Sequence, residues 1–180
     1  MITRSELEFA RNRAGEMIHQ AGLCLRADER ERIEVADFGL GRLEIEGAQV
    51  LTLVQSERIG VKILVLFPGQ TLPEHWHPSV GDDPGKEETV RVAWGRLAVY
   101  TTGSSTAIPV QTPAGKDALY TVRRRWTLDP GDQLLFKPGE KHWFQAEAQG
   151  AVAFSFSTVA RDILDRFTDP GIVRQTVVVS

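Results

Sequence analysis

The stretch Gly69-Gln-Thr-Leu-Pro-Glu-His75-Trp-His77 decides our interpretation of the chain, because it places two histidines two residues apart. Side chains alternate between the faces of an extended strand, so both imidazoles point to the same face. Further along, Glu88 opens the alternating run 88–94 and His142 opens the strand-like run 142–146. Two histidines on one face, one carboxylate and one distant histidine form a set of metal ligands with nitrogen and oxygen donors.

The histidine count supports this interpretation, since the chain has 4 His and only His19 lies outside the set. We choose Glu88 as the carboxylate ligand because its neighbour Glu87 would point out of the opposite face of the strand. Three imidazoles and one carboxylate suit Mn, Fe, Co, Ni or Zn, so the ligands do not identify the metal. Four protein ligands on an octahedral ion leave two positions open, which indicates catalysis rather than a closed structural site.

Length and composition limit the class of protein. At 180 residues the chain is long enough for one sizeable core, and we expect a single domain over 1–180, with a helical segment over 1–30 and a barrel with a C-terminal extension over 31–180. The net charge of -3 argues against a nucleic-acid surface. The lone Cys24 allows no intramolecular disulfide, and no apolar run is typical of a signal peptide or a membrane span. We therefore expect a cytoplasmic protein without a nucleic-acid or membrane partner.

The remaining sequence predicts one helix followed by strands. Apolar residues recur at helical spacing over 5–21, after a Thr3 and Glu6 pair that fits a capping box. Beyond it, short apolar runs divided by Gly and Pro turns are typical of an all-β sandwich or barrel. The predicted strands cover residues 50–54, 61–67, 88–94, 96–102, 119–128, 133–136, 142–147 and 151–157.

The intervals around the ligand set resemble the two motifs of the cupin family. Five, six and two residues separate, respectively, the pairs Gly69 and His75, Glu88 and Gly95, and Gly139 and His142. This resemblance implies an all-β fold, namely a single cupin β-barrel of the double-sheet jelly-roll type, which here carries an N-terminal α-helix. It also implies that the barrel interior holds a metal.

Several stretches look more specifically like the D-lyxose isomerase (D-lyxose ketol-isomerase) family, over roughly residues 5–175. They are Asp37-Phe-Gly-Leu-Gly41, Pro68-Gly-Gln-Thr-Leu-Pro-Glu-His-Trp-His-Pro78, Gly85-Lys-Glu-Glu88, His142-Trp-Phe-Gln-Ala146, Arg161-Asp162 and Phe167-Thr-Asp-Pro170. The resemblance implies a divalent metal, usually Mn, held by His75, His77, Glu88 and His142. It also implies a homodimer that isomerises D-lyxose to D-xylulose, and often D-mannose to D-fructose. Such a reaction can proceed by metal chelation of O1 and O2 of the sugar and proton transfer through a cis-enediol.

The chain departs from this family at the residue that would act as the catalytic base. Aligned on Arg161-Asp162, the family has a glutamate where this chain has Ser155, and a serine cannot act as a carboxylate base. Asp162 and Asp165 match acidic positions of the family and are candidates to bind sugar hydroxyls or to carry the proton. Of the two, we assign Asp165 to catalysis and Asp162 to substrate binding.

Strand parity suggests two further site residues. Lys86 shares the facing of Glu88 and could hold a developing oxyanion, which makes it a second catalytic candidate. Phe144 shares the parity of His142, so it should face inward and line a substrate pocket.

Two other functions fit the same ligand set. One is an Fe-dependent cupin dioxygenase, for which three histidines and one glutamate would also serve. The other is a non-catalytic cupin that binds a sugar and retains the metal site. Ser155 favours this last interpretation, whereas Lys86 and Asp165 argue against it.

Overall fold

The computed structural model describes residues 1–159 and 161–179. They form two α-helices, α1 (Arg4–Gln20) and α2 (Ala27–Glu31), and short 3-10 turns over Asp117–Leu119 and Asp162–Leu164. The strands are β1 (Ile2–Thr3), β2 (Glu34–Ala36), β3 (Ala48–Gln55), β4 (Ile59–Leu66), β5 (Thr71–Trp76), β6 (Glu88–Thr101), β7 (Arg124–Leu128), β8 (Gln133–Phe136), β9 (His142–Thr158), β10 (Arg166–Phe167) and β11 (Val178–Val179). None of the described helices is long and apolar enough to cross a membrane.

Helix α1 begins at a capping box, as the sequence predicts. The Thr3 hydroxyl accepts a hydrogen bond from the Glu6 amide at 3.2 Å, and the Thr3 amide donates to the Glu6 carboxylate at 2.7 Å. The apolar side of the helix, with Ala10, Ala14 and Ile18 fully buried, packs on the outer face of the sheet. The helix therefore covers part of that face.

Nine of the described strands form a curled antiparallel sheet whose main path runs β10-β5-β9-β4-β3-β2, while β1 pairs with β11 in a separate parallel sheet. Strand β9 is central, because one of its edges pairs with β5 and then β4, while the other pairs with β6 along its length. Strand β6 in turn pairs with β8 in its first half and with β7 in its second half. This curled sheet with its N-terminal helix confirms the predicted all-β class.

Two long strands replace four shorter ones that the sequence predicts. Strand β6 continues through Gly95, and β9 continues through Gly150. Gly95 has a φ of +73°, and a Cβ there would lie 2.1 Å from the carbonyl oxygen of Gly150. The pairing of β6 with β9 also shifts register beside Gly95. The two glycines therefore mark a bulge at which the strands bend, not a turn that separates them.

The strand predicted over residues 119–128 begins only at Arg124. The amides of Thr121 and Val122 donate to the buried carboxylate of Glu74, at 2.5 and 2.9 Å, so they are not available to a neighbouring strand. The Thr168 hydroxyl donates to the same carboxylate at 2.5 Å. Glu74, which sequence reasoning missed, thereby ties the loop before β7 to the C-terminal segment.

Apolar side chains form an outer layer, an inner layer and a third cluster around Trp143. The outer layer lies between α1 and the sheet, and it includes Ile18, Ile63 and Phe67. The inner layer lies inside the curled sheet and includes Phe136. The ring of Phe136 stacks on that of His142 with 4.2 Å between centroids, so the inner layer forms an apolar wall of the candidate site.

Candidate metal centre

Strand pairing brings the four proposed ligands together inside the curled sheet. His75 on β5 lies directly opposite His142 at the start of β9. His77 follows the end of β5, and Glu88 is the first residue of β6. All four side chains are buried, whereas Glu87 is exposed, as strand parity predicts.

The three imidazoles form one compact group. A ring nitrogen from each histidine lies within 4.8 Å of those of the other two. The ring centroids of His75 and His142 are 4.3 Å apart, and those of His77 and His142 are 5.1 Å apart. His77 Nε2 donates to the Glu88 carboxylate at 2.9 Å, which places the carboxylate at the edge of the group. The fourth histidine, His19, is exposed on α1 and takes no part.

Two imidazoles of the group, those of His75 and His142, are held through Nδ1 by backbone carbonyl oxygens. His75 Nδ1 donates to the Pro73 carbonyl oxygen at 2.8 Å, and His142 Nδ1 donates to that of Glu140 at 2.8 Å. A carbonyl oxygen only accepts, so Nδ1 carries the proton and the neutral ring keeps a lone pair on Nε2. His142 Nε2 is buried and has no hydrogen-bond partner among the described residues. This orphaned nitrogen and the fixed tautomers fit a metal bound through Nε2.

Burial and charge shift the pKa values of the group in opposite directions. Desolvation, followed by the neighbouring His77, lowers the pKa of His75 to about 4, and desolvation holds the pKa of His142 well below its usual range. Burial also acts to lower the pKa of His77, but hydrogen bonds to Asp165 and Glu88 outweigh it and raise that pKa. Two neutral imidazoles are thus ready to act as metal ligands.

Glu88 remains ionised although it is buried. Burial acts to raise its pKa, but the Lys86 ammonium at 3.4 Å and the hydrogen bond from His77 hold the pKa well below the ordinary value. The Ser155 hydroxyl donates a hydrogen bond to the other carboxylate oxygen of Glu88. Ser155 is therefore a partner of the carboxylate, a contact that the sequence alone did not reveal.

A small cavity with a volume of about 60 Å³ opens beside this group. His75 and Glu88 form part of its wall, and the inward-facing Phe144 lies with its ring 6.1 Å from that of His75. Lys86, Asp162 and Asp165 also line it. The structure thus places every side chain of the predicted catalytic and substrate-binding set around one space, while their roles stay predictions.

Comparison with known proteins supplies the family. No family model matches the chain. A D-lyxose ketol-isomerase from Cohnella laeviribosi is 46% identical over 175 residues, which cover 97% of this chain and 96% of that protein. A D-lyxose/D-mannose isomerase from Thermosediminibacter oceani is 43% identical, with 97% of each chain covered. The chain belongs to the D-lyxose isomerase family. It is accordingly a sugar isomerase.

Solved structures support the fold of this family member. An L-ribose isomerase from Acinetobacter sp. DL28, in complex with L-ribose, superposes with a TM-score of 0.84 and 14% identity, covering 99% of this chain and 98% of that chain. An L-ribose isomerase from Cellulomonas parahominis, without ligand, gives 0.81 and 15%, covering 99% of this chain and 98% of that one. At such low identity the likeness is one of fold, and it supports the all-β architecture with an N-terminal helix expected from the sequence.

The C-terminal segment of the isomerase closes one side of the cavity. Asp162 forms an ion pair with Lys62 on β4 and lies 3.5 Å from Lys86 and 3.9 Å from Arg174. Burial acts to raise the pKa of Asp162, but the positive charges of Lys86 and Lys62 lower it. Asp165 accepts a hydrogen bond from His77 Nδ1 at 2.9 Å.

Sequence reasoning missed two of these cavity residues. Lys62 is buried within the apolar run 61–67, where its parity with Leu64 could have identified it as an inward-facing charge. Arg174 lies beyond the last predicted strand, in a segment without periodicity, so no pattern in the sequence indicated its position.

Proposed function

We propose that this family member converts D-lyxose to D-xylulose reversibly, and D-mannose to D-fructose as a second reaction. The observation that carries the proposal is the group of His75, His77, His142 and Glu88 beside a cavity with both apolar and charged wall residues, in a chain 46% identical to a D-lyxose ketol-isomerase. The relatives' names favour this function over the dioxygenase and the non-catalytic cupin, which share the same ligand chemistry.

The cofactor that we propose is a divalent metal, most simply Mn, with Co, Ni, Fe or Zn as substitutes. His75 and His142 would bind it through their free Nε2 atoms, His77 through Nε2 after losing the proton that it donates to Glu88, and Glu88 through a carboxylate oxygen. The fit rests on the Nδ1 hydrogen bonds and on the unpartnered Nε2 of His142. A bound ion would supply Lewis acidity that polarises the carbonyl group of an open-chain sugar.

Side chains of the protein would manage charge and protons during the reaction. Lys86 lines the cavity with its ammonium group and would stabilise negative charge that develops on a sugar oxygen. Asp165 would accept the proton from C2 and return it to C1, while the hydroxyl proton passes from O2 to O1; this converts the aldose into the ketose.

Two further side chains would position the sugar. Asp162 is fixed between Lys62 and Lys86, so its carboxylate oxygens would accept hydrogen bonds from sugar hydroxyls. Phe144 is an apolar wall of the cavity and would pack against the carbon skeleton. We further propose that the enzyme is a cytoplasmic homodimer.

Metal removal and restoration test the proposal. The purified protein is treated with a chelator, dialysed, and assayed with D-lyxose, D-mannose and L-ribose before and after addition of Mn, Co, Ni, Fe or Zn. We expect no ketose without metal, and D-xylulose from D-lyxose as the fastest reaction once Mn is restored.

Three results would count against the proposal. Full D-lyxose conversion by protein shown by elemental analysis to hold no metal would rule out the metal-dependent reaction. Absence of any conversion by protein shown to hold metal would instead support the non-catalytic interpretation. Oxygen uptake with substrate would support the dioxygenase.

A further inference from the structure

One row of side chains crosses the outer face of the sheet from β3 to β8. Pairing registers place these residues directly side by side on neighbouring strands: Val54, Val61, Phe156, Thr89 and Leu135. Three members are large, apolar and strongly exposed, namely Val54 at 44%, Phe156 at 43% and Leu135 at 48%. We call these five residues the outer row.

The outer row begins where helix α1 stops covering the sheet. The next residues on this face towards the helix are Leu51 on β3 and Ile63 on β4, which pair with each other. They are only 1% and 4% exposed, because α1 packs near them. The apolar side chains of the outer row itself are not covered by α1 or by any other element among the described residues. The ring of Phe156 stacks on that of Phe154 with 5.7 Å between centroids.

Charged residues of opposite sign flank the outer row on β6. Glu87 and Arg91 lie two residues before and two residues after Thr89, so they share its facing, and both are exposed. Among the described residues neither side chain forms an ion pair, although Arg91 donates a hydrogen bond to Gln133 at 3.0 Å. The two charges are about 13 Å apart along the strand.

This arrangement is complementary to itself. Consider a second copy laid face to face on the first and related to it by a two-fold axis that lies between them, parallel to the outer row. The strands of the second copy then run in the direction opposite to those of the first. The apolar row then packs on its own symmetry mate, as in two stacked sheets. Because Glu87 and Arg91 are equally far from Thr89, each arginine falls opposite the glutamate of the other copy.

We infer that the outer row is the contact surface for a second copy of this chain, with reciprocal pairs between Glu87 and Arg91 at its rim. The inference rests on the proposed homodimer and identifies the face that forms it. Isologous contacts of this kind are the usual way in which identical chains pair.

The inferred contact would lie directly behind the candidate metal centre. Three members of the outer row have a cavity residue as their neighbour in the sequence. Lys62 is next to Val61, Glu88 is next to Thr89, and Ser155 is next to Phe156, and these three neighbours face inward. A second sheet packed on the outer row would restrict movement of the strands that carry these groups.

Truncation of the apolar residues is the first test, with sedimentation velocity on a dilution series as the readout. We expect the wild-type chain to be a dimer, and Phe156→Ser to raise the dimer dissociation constant about tenfold or more. Leu135→Ser is a second variant on the short strand β8, in case Phe156→Ser fails to fold. Phe9→Ser is the matched control, because Phe9 is 60% exposed on α1 and lies outside the outer row.

Charge reversal is the second test, because it probes the orientation of the two copies. Arg91→Glu should raise the dissociation constant about tenfold, since it sets two glutamates against each other at both ends of the contact. Adding Glu87→Arg to the same chain should restore dimerisation to within a few-fold of wild type. Arg4→Glu, an exposed change of the same charge on α1, should have no effect.

The outcomes separate this inference from the proposed activity. A wild-type chain that stays monomeric over the whole dilution series would overturn both the homodimer and this face. A dimer that is insensitive to folded Phe156→Ser and Leu135→Ser variants would overturn the face alone, as would a double charge swap that fails to restore a dimer lost in Arg91→Glu. Sedimentation needs no substrate, so failure of sugar conversion leaves this inference standing.

Discussion

His77 Nδ1 donates a hydrogen bond to the carboxylate of Asp165 at 2.9 Å, although the two are 88 positions apart in the chain. The contact leaves Nε2 of His77 directed at Glu88, on the side of the other two imidazoles. A carboxylate behind a histidine ligand orients the ring and increases the basicity of the coordinating nitrogen. If His77 is a metal ligand as proposed, Asp165 would orient it, in addition to the proton transfer proposed for Asp165.

Asp165→Asn should weaken metal binding about 10- to 100-fold, because the variant keeps the shape of the side chain but loses its negative charge. Isothermal titration of the metal-free protein with Mn measures this directly and needs no substrate. Asp82→Asn, an exposed change in the loop before β6, is the control and should bind Mn like wild type. Equal affinities in both variants would show that Asp165 does not support the histidine.

The four histidines of the chain allow a matched comparison. His142→Ala should remove a ligand, so that the purified protein retains little metal by elemental analysis and gains no thermal stability when Mn is added. Wild type should gain about 2.7 kcal/mol of stability at a metal concentration of a hundred times the dissociation constant. His19→Ala should behave like wild type, because His19 is exposed on α1. An undiminished metal content in His142→Ala would contradict the assigned ligand set.

The sequence predicts the grouping of the three histidines and Glu88 well because its information is local. Strand parity correctly placed His75 and His77 on the same face and chose the buried Glu88 over Glu87. The contacts around the group do not follow from local strand parity. Asp165 and Arg174 line the cavity from a C-terminal segment whose sequence has no periodic pattern. Such positions depend on tertiary packing and cannot be read from spacing.

The buried ion pair between Lys62 and Asp162 should respond unequally to removal of either partner. Asp162→Asn leaves the buried Lys62 ammonium without its counter-charge, which should lower the free energy of unfolding by about 3 kcal/mol or more. Lys62→Met replaces the cation with an apolar chain of similar size, and Asp162 still has Lys86 and Arg174 nearby, so the loss should be smaller. Urea denaturation of both variants measures the difference. Equal losses, or a larger loss in Lys62→Met, would contradict this account.

Strand boundaries were predicted less well than the positions of the candidate ligands, and Gly95 shows why. A glycine between two alternating runs indicates either a turn or a bulge, and the sequence does not distinguish them. In the structure, β6 and β9 cross this point as continuous paired strands, because Gly95 and Gly150 allow their backbones to approach closely. The deciding contact lies between residues far apart in the chain.

Gly95→Ala tests this close approach. The substitution adds a Cβ that would lie 2.1 Å from the Gly150 carbonyl oxygen, so the strands must separate in addition to accommodating alanine at a φ of +73°. Gly115→Ala is the matched control, because Gly115 has a φ of +78° and no atom within 4 Å of its added Cβ. The left-handed backbone alone should cost the control about 1–2 kcal/mol. Gly95→Ala should lose at least about 1–3 kcal/mol more of the free energy of unfolding, measured by urea denaturation, because the bend between β6 and β9 is overpacked. If the two variants lose the same stability, the bend tolerates a side chain and the glycine is required only for its backbone conformation.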